Sequence, residues 1–150
     1  ERFRASLPAP NPKLPMHEND LGRTILDAAF HVHRGLGPGL LESVYETVLA
    51  YELQKRGLAV RRQVPVPIVY EGITFDEGFR ADLIVADKVI IELKSVTQIT
   101  PAHRKQIQTY LRLSGQKLGY LINFGEALLR DGIVRAVNGL EEEPSALPEV

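Results

Sequence analysis

Two acidic residues and a lysine fall where chemistry can gather. They stand in Arg80-Ala81-Asp82 and in Ile91-Glu92-Leu93-Lys94, two short apolar runs joined around Asp87. Successive side chains of a strand point to opposite faces, so Glu92 and Lys94 share one face. A hairpin turning about Asp87 places Asp82 opposite Glu92, because each lies five residues from the turn. Directly opposed residues hold their Cβ atoms roughly 4.5–5.5 Å apart, so two carboxylates and an ammonium are expected to converge. On this register Ile84, Ala86, Lys88 and Ile90 share the face of Asp82, while Ala81, Leu83, Val85, Val89, Ile91 and Leu93 form the other. Carboxylates in such apolar surroundings repel and lose hydration unless a cation compensates them. A divalent metal ion is one compensator; Lys94 in a purely structural ion pair is the other. Spacing alone leaves both readings open.

Other segments must position these groups. Leu21, Ile25, Ala28 and Val32 recur at helical spacing, predicting a first helix from about Asp20 to Arg34, capped by Asn19 or Asp20. Gly35-Leu36-Gly37-Pro38-Gly39 stops it, and a second helix is predicted over about Leu41–Arg56 with Gly57 as its left-handed cap. That helix carries Glu42, Tyr45, Glu46 and Leu49 along one side. Glu42, in the first turn, also suits the helix dipole and needs no function to be there. Alternation over Val64, Val66, Ile68 and Tyr70, with Pro65 and Pro67, reads as an edge strand. Glu71-Gly72 is a turn signal, after which Ile73–Asp76 can pair back.

Phe79–Ala86 and Lys88–Val96 are two buried strands. Thr100 caps a third helix with Pro101 in its first turn, ended by Gly115. On it, His103, Gln106 and Tyr110 form a polar stripe beside the apolar Ile107 and Leu111. Leu118–Phe124 is a further strand, and Ile133–Val137 is too short to assign. The order predicts a mixed α/β domain over residues 17–140, with extended tails at 1–16 (rich in proline) and 141–150.

Composition narrows the chemistry. The chain has no cysteine, so any metal must be held by carboxylate, imidazole or carbonyl groups, which favours magnesium, manganese or calcium. The lack of cysteine also fits a reducing compartment, the cytoplasm. No apolar run is long enough to span a membrane, and residues 1–16 lack the pattern of a secretory signal. A formal charge of −1 disfavours nonspecific coating of nucleic acid but leaves room for a local basic patch. Its candidates are Lys55, Arg56, Arg61, Arg62, Arg104 and Lys105, each of which can equally be a solvated surface residue.

Together these residues resemble the GxxExxY family of the PD-(D/E)XK nuclease superfamily. The naming motif stands as Gly39-Leu40-Leu41-Glu42-Ser43-Val44-Tyr45, preceded by Val32-His33-Arg34-Gly35-Leu36-Gly37-Pro38. The resemblance continues through Arg80-Ala81-Asp82, Glu92-Leu93-Lys94 and Gln106-Ile107-Gln108-Thr109-Tyr110 to Leu121-Ile122-Asn123-Phe124, covering about Leu21 to Val137. An isolated D…ExK match is weak, whereas four ordered motifs are strong. Ala81 occupies the proline position of the motif name, which supplies no ligand.

The resemblance implies a mixed four-stranded sheet flanked by helices and metal-dependent hydrolysis of phosphodiester bonds, with Mg2+ or Mn2+ as cofactor. Asp82, Glu92, the Leu93 carbonyl and Glu42 would hold the metal or its water. Lys94 would orient the attacking water and stabilise negative charge. Gln106 and Tyr110 match a Q-x-x-x-Y pattern of the exonuclease branch and would support the substrate, with Tyr45 and His33 as further candidates; the other reading of His33 is a simple cap of the first helix. The implied substrate is nucleic acid, DNA above all, at ends or single strands, in repair or defence. A homodimer or a partner protein would enlarge the small recognition surface. The competing reading is a catalytically silent module that binds nucleic acid or a protein partner, and a third is a protein merely stabilised by its metal.

Overall fold

The structure is a computed structural model, and it describes residues 16–142. The chain order is α1 (Glu18–Leu36), α2 (Glu42–Lys55), β1 (Val60–Tyr70), β2 (Ile73–Val85), β3 (Val89–Lys94), α3 (Pro101–Ser114), β4 (Leu118–Asn123), a 3-10 turn (Leu129–Gly132) and β5 (Ile133–Val137). The five strands form one mixed sheet in the order β1-β2-β3-β4-β5. Strands β3 and β4 run parallel, joined by α3 as the crossover; the other neighbours are antiparallel.

Two layers of side chains sandwich the sheet. On one face Leu21, Ile25 and Ala29 of α1 and Leu49 and Leu53 of α2 pack on Leu83, Val85, Ile91, Leu93 and Ile122. On the other, Ile107 and Leu111 of α3 pack on Ile84, Ile90, Leu121 and Ala136. Strands β3 and β4 are therefore covered on both sides, which explains their nearly continuous apolar sequence.

The expected four-stranded sheet has five strands. Residues Ile73–Asp76 and Phe79–Ala86 do not form separate strands but one long β2, bent at an irregularity opposite Val66 and Ile68. Gly78 permits that bend, since a Cβ there would overlap the Val66 carbonyl oxygen. The fifth strand, Ile133–Val137, is paired with β4 along its whole length, a partnership that five residues cannot announce locally.

Helix boundaries follow the capping chemistry, with corrections at both ends of α1, which runs on through Gly35 to Leu36 before Gly37 caps it. Helix α1 starts earlier than expected because His17 caps it, its Nδ1 accepting from Asn19 N at 2.9 Å. The Asn19 side chain instead donates to Glu142 and accepts from Arg135. Glu141 and Glu142, assigned above to a tail, are thus tied to the start of α1. Residues 1–15 and 143–150 of the expected tails lie outside the described residues. Thr100 and His103 form a reciprocal capping box at the start of α3, so His103 serves the helix rather than a polar stripe.

Candidate active site between strands β2 and β3

The turn between β2 and β3 sets the site. Ala86 and Asp87 both take positive φ, 52° and 55°, and the register runs Val85↔Val89, Ile84↔Ile90, Leu83↔Ile91. The next facing positions are Asp82 and Glu92, and there side chains take over from the ladder. Glu92 Oε1 accepts from Asp82 N at 3.2 Å, and Asp82 Oδ2 accepts from Leu93 N at 2.8 Å. The two carboxylates are interlocked through each other's main chain, as the position of Asp87 predicts.

The faces around them differ from expectation. In a regular strand residues two apart share a face. Yet Leu83 packs toward α1 and α2, whereas Ala81 packs with Ile84 and Ile90 on the α3 side. Strand β1 reverses at the same level: Arg62 bonds Glu46 and Thr47 of α2, while Val64 joins the α3-side cluster. The reversal occurs at Gln63, whose φ is 50°, a left-handed conformation uncommon for a residue with a Cβ. Asp82 stands directly across from this break, so its carboxylate lies between the two faces of the sheet rather than on one of them.

On the α2 side lies a cleft of about 360 Å3, lined by Glu42, Ser43, Glu46, Gln63, Asp82 and Leu93. Glu42, the first residue of α2, is exposed at its edge. Glu46 is buried and held by Arg62 at 3.1 and 2.9 Å. The Gln63 amide donates both to Glu46 Oε1 and, at 3.2 Å, to Asp82 Oδ1. The α2 carboxylate tied to Asp82 by hydrogen bonds is thus Glu46, through Gln63, whereas the sequence motif points to Glu42. Glu46 was visible as a helix-face neighbour of Glu42; nothing in the sequence marked Gln63.

On the α3 side lies Glu92, only 7% exposed. Burial, and then the charge of Asp82, push its carboxyl up to about 8; the Asp82 N–H and the Lys94 ammonium only partly offset this. Lys94, half-buried at the end of β3, is fixed by the ladder position opposite Asn123. Tyr110 of α3 stacks on Phe79 with ring centroids 3.8 Å apart. The pKa of its hydroxyl is pushed upward by burial and then by the charges of Glu92 and Asp82. Gln106 is exposed, one turn earlier on α3.

Two expected substrate residues stand elsewhere. Tyr45 is fully buried, stacked on Phe124 at 4.5 Å; its hydroxyl donates to the Gly37 carbonyl and accepts from Leu40 N at 3.1 Å. His33, also buried, donates through Nε2 to the Glu126 carbonyl at 2.8 Å. Tyr45 supports the glycine-rich loop before α2, the His33 side chain holds the loop after β4, and neither lines the cleft. Of the expected basic patch, Lys55 pairs with Glu52, Arg61 with Asp87 and Arg62 with Glu46, while Arg56, at the end of α2, and Arg104 and Lys105, on α3, are exposed.

A family model for the PD-(D/E)XK nuclease superfamily matches residues 19–136. The chain belongs to that superfamily. No curated protein and no solved structure gives a significant match. The match spans every element described above except Glu18 at the start of α1 and Val137 at the end of β5, and the mixed sheet with its three helices is consistent with the superfamily core. Divalent metals are typical of the superfamily, and the donors here can be tested for fit. Among the described residues no group of three or more His, Cys, Asp or Glu side chains is gathered closely enough to hold an ion. Asp82 and Glu92 are nevertheless interlocked by hydrogen bonds, and burial, together with the charge of Asp82, holds the Glu92 carboxyl high. Their hard oxygens suit magnesium or manganese, with main-chain carbonyl or water completing the shell.

Proposed function

We propose that the chain is a metal-dependent nuclease that hydrolyses phosphodiester bonds in DNA, acting on ends or single strands in repair or defence. The observation that carries this reading is the interlocked pair Asp82 and Glu92, the latter buried with its carboxyl held high, with Lys94 on the same strand. Superfamily membership supports it. The motif Gly39–Tyr45 favours the GxxExxY branch.

In this reading Asp82 and Glu92 hold a Mg2+ or Mn2+ ion, with the Leu93 carbonyl and Glu42 as further ligands directly or through water. Such an ion, when bound, supplies charge against the scissile phosphate and acidifies water. Lys94 places its ammonium beside the reacting phosphate, orienting the attacking water and stabilising the developing negative charge. Gln106 and Tyr110 line the substrate approach from α3. Tyr45 acts at one remove, by holding the loop that leads into Glu42, and His33 by holding the loop after β4.

The decisive experiment incubates labelled single- and double-stranded DNA and RNA with magnesium, manganese or chelator, for the parent and Glu92→Ala. Metal-dependent cleavage of DNA, lost in the variant, is the expected result. Cleavage that survives chelator or the substitution overturns the reading. That no third such ligand is gathered among the described residues favours one alternative, a silent module that binds nucleic acid or a protein partner. That alternative predicts manganese binding, or nucleic-acid binding, without turnover.

A further inference from the structure

We propose that Gln63 is the positioning residue of this site: it ties Asp82 to helix α2 and thereby sets the direction in which the Asp82 carboxylate faces its metal. The inference rests on the metal-dependent reading above. Gln63 is the point where the pleat of β1 reverses; its neighbours pair as Arg62↔Leu83 and Val64↔Ala81, and between them it faces Asp82 outside the regular register. Its main chain and side chain are both occupied. The carbonyl accepts from Arg80 at 3.1 Å, and the amide bridges Glu46 Oε1 and Asp82 Oδ1. Arg62 in turn anchors Glu46. The chain Arg62–Glu46–Gln63–Asp82–Leu93 N therefore runs from β1 through α2 and back across β2 to β3.

This chain leaves Asp82 little freedom. One carboxylate oxygen is engaged by Gln63 and the other by Leu93 N, each with lone pairs remaining for a cation. Glu46, already satisfied by Arg62 and Gln63, is held back from the ion. Gln63 itself is exposed, so its side chain contributes little packing, and the left-handed backbone it adopts would suit glycine better. A residue that adds neither packing nor a comfortable backbone is explained by the two bonds its amide makes. Outer partners of this kind orient ligands, and their loss typically costs roughly 10- to 100-fold in metal affinity.

Glycine and alanine at position 63 separate orientation from stability. Both remove the amide, but only Gln63→Gly relieves the backbone. Melting temperature and manganese affinity by calorimetric titration are measured for the parent, Gln63→Gly and Gln63→Ala. Expected is a Gln63→Gly protein that melts no lower than the parent yet binds manganese about tenfold or more weakly, with Gln63→Ala equally weak in binding. If the parent binds manganese and Gln63→Gly binds it as tightly, the positioning role is wrong while the nuclease reading stands. A parent that binds no manganese overturns both.

Discussion

Asp82 and Glu92 exchange hydrogen bonds across the opening between β2 and β3: each carboxylate accepts from a main-chain N–H of the other's strand, Glu92 from Asp82 itself and Asp82 from Leu93. The exchange occurs one step beyond the last ladder pair, Leu83↔Ile91. Two acids are thereby held together where strands that kept pairing would have held two neutral amides. Their mutual repulsion is built into the fold, and it has measurable consequences.

The first concerns stability against pH without metal. Glu92 keeps its proton to about pH 8 in the folded protein, against 4.5 for the unconstrained group. Between these values the native state binds more protons than the unfolded chain, so stability falls as pH rises through that window. At about 1.4 kcal/mol per pKa unit, the loss is on the order of a few kcal/mol. Urea unfolding in chelator at pH 5 and pH 8.5 should show this decline in the parent and a flatter profile in Glu92→Gln. Parallel profiles would show that Glu92 is not the group responsible.

Metal addition should reverse the trend. Manganese is expected to raise the melting temperature most at pH 8 and above, where the ion no longer competes with the Glu92 proton. Below pH 8 binding should release a proton, visible as a dependence of calorimetric heat on the buffer's ionisation enthalpy. Asp82→Asn keeps the shape but removes one charge, and should abolish the thermal shift. A shift of equal size in Asp82→Asn would place the ion elsewhere.

Lys94→Ala tests the chemistry apart from the fold. Its side chain is half-buried and its strand is held by main-chain pairing with β4, so melting should change little. Cleavage should fall roughly 100- to 1000-fold, the usual cost of removing one group that stabilises developing charge. Gel-based rates on a labelled oligonucleotide decide this, and an unchanged rate would remove Lys94 from the mechanism.

Asn123 supports the end of β3 from below. It is fully buried; its Oδ1 accepts from Val96 N and Gly125 N, both at 3.0 Å, and its Nδ2 donates to the Val96 carbonyl at 2.9 Å. Asn123→Ala strands three main-chain groups and opens a small cavity, so a loss of about 2–4 kcal/mol is expected by urea unfolding. Tyr45→Phe, which removes only the hydroxyl bonds to Gly37 and Leu40, should cost about 1 kcal/mol.

What could be read from residues alone was local in origin. Asp87 set the register that brings Asp82 to Glu92, because strand alternation and a tight turn are properties of a few consecutive residues. Thr100, Pro101 and Gly115 bounded α3 for the same reason. The apolar runs of β3 and β4 announced burial on both faces, and the ordered motifs from Gly39 to Tyr110 announced the superfamily.

Tertiary structure alone decided how those pieces face one another. The left-handed turn of the chain at Gln63 reverses the pleat of β1, and β2 follows, so that Ala81 and Leu83 part to opposite faces. No alternation rule foresees this, since the conformation is stabilised by Glu46, Asp82 and Arg80, all distant in sequence. Likewise β5 exists because β4 offers it an edge, and Tyr45 is committed to the loop because Phe124 lies beneath it. Periodicity is written within a strand or helix; the partner that satisfies a buried hydroxyl or an unpaired amide is supplied only when the chain closes on itself.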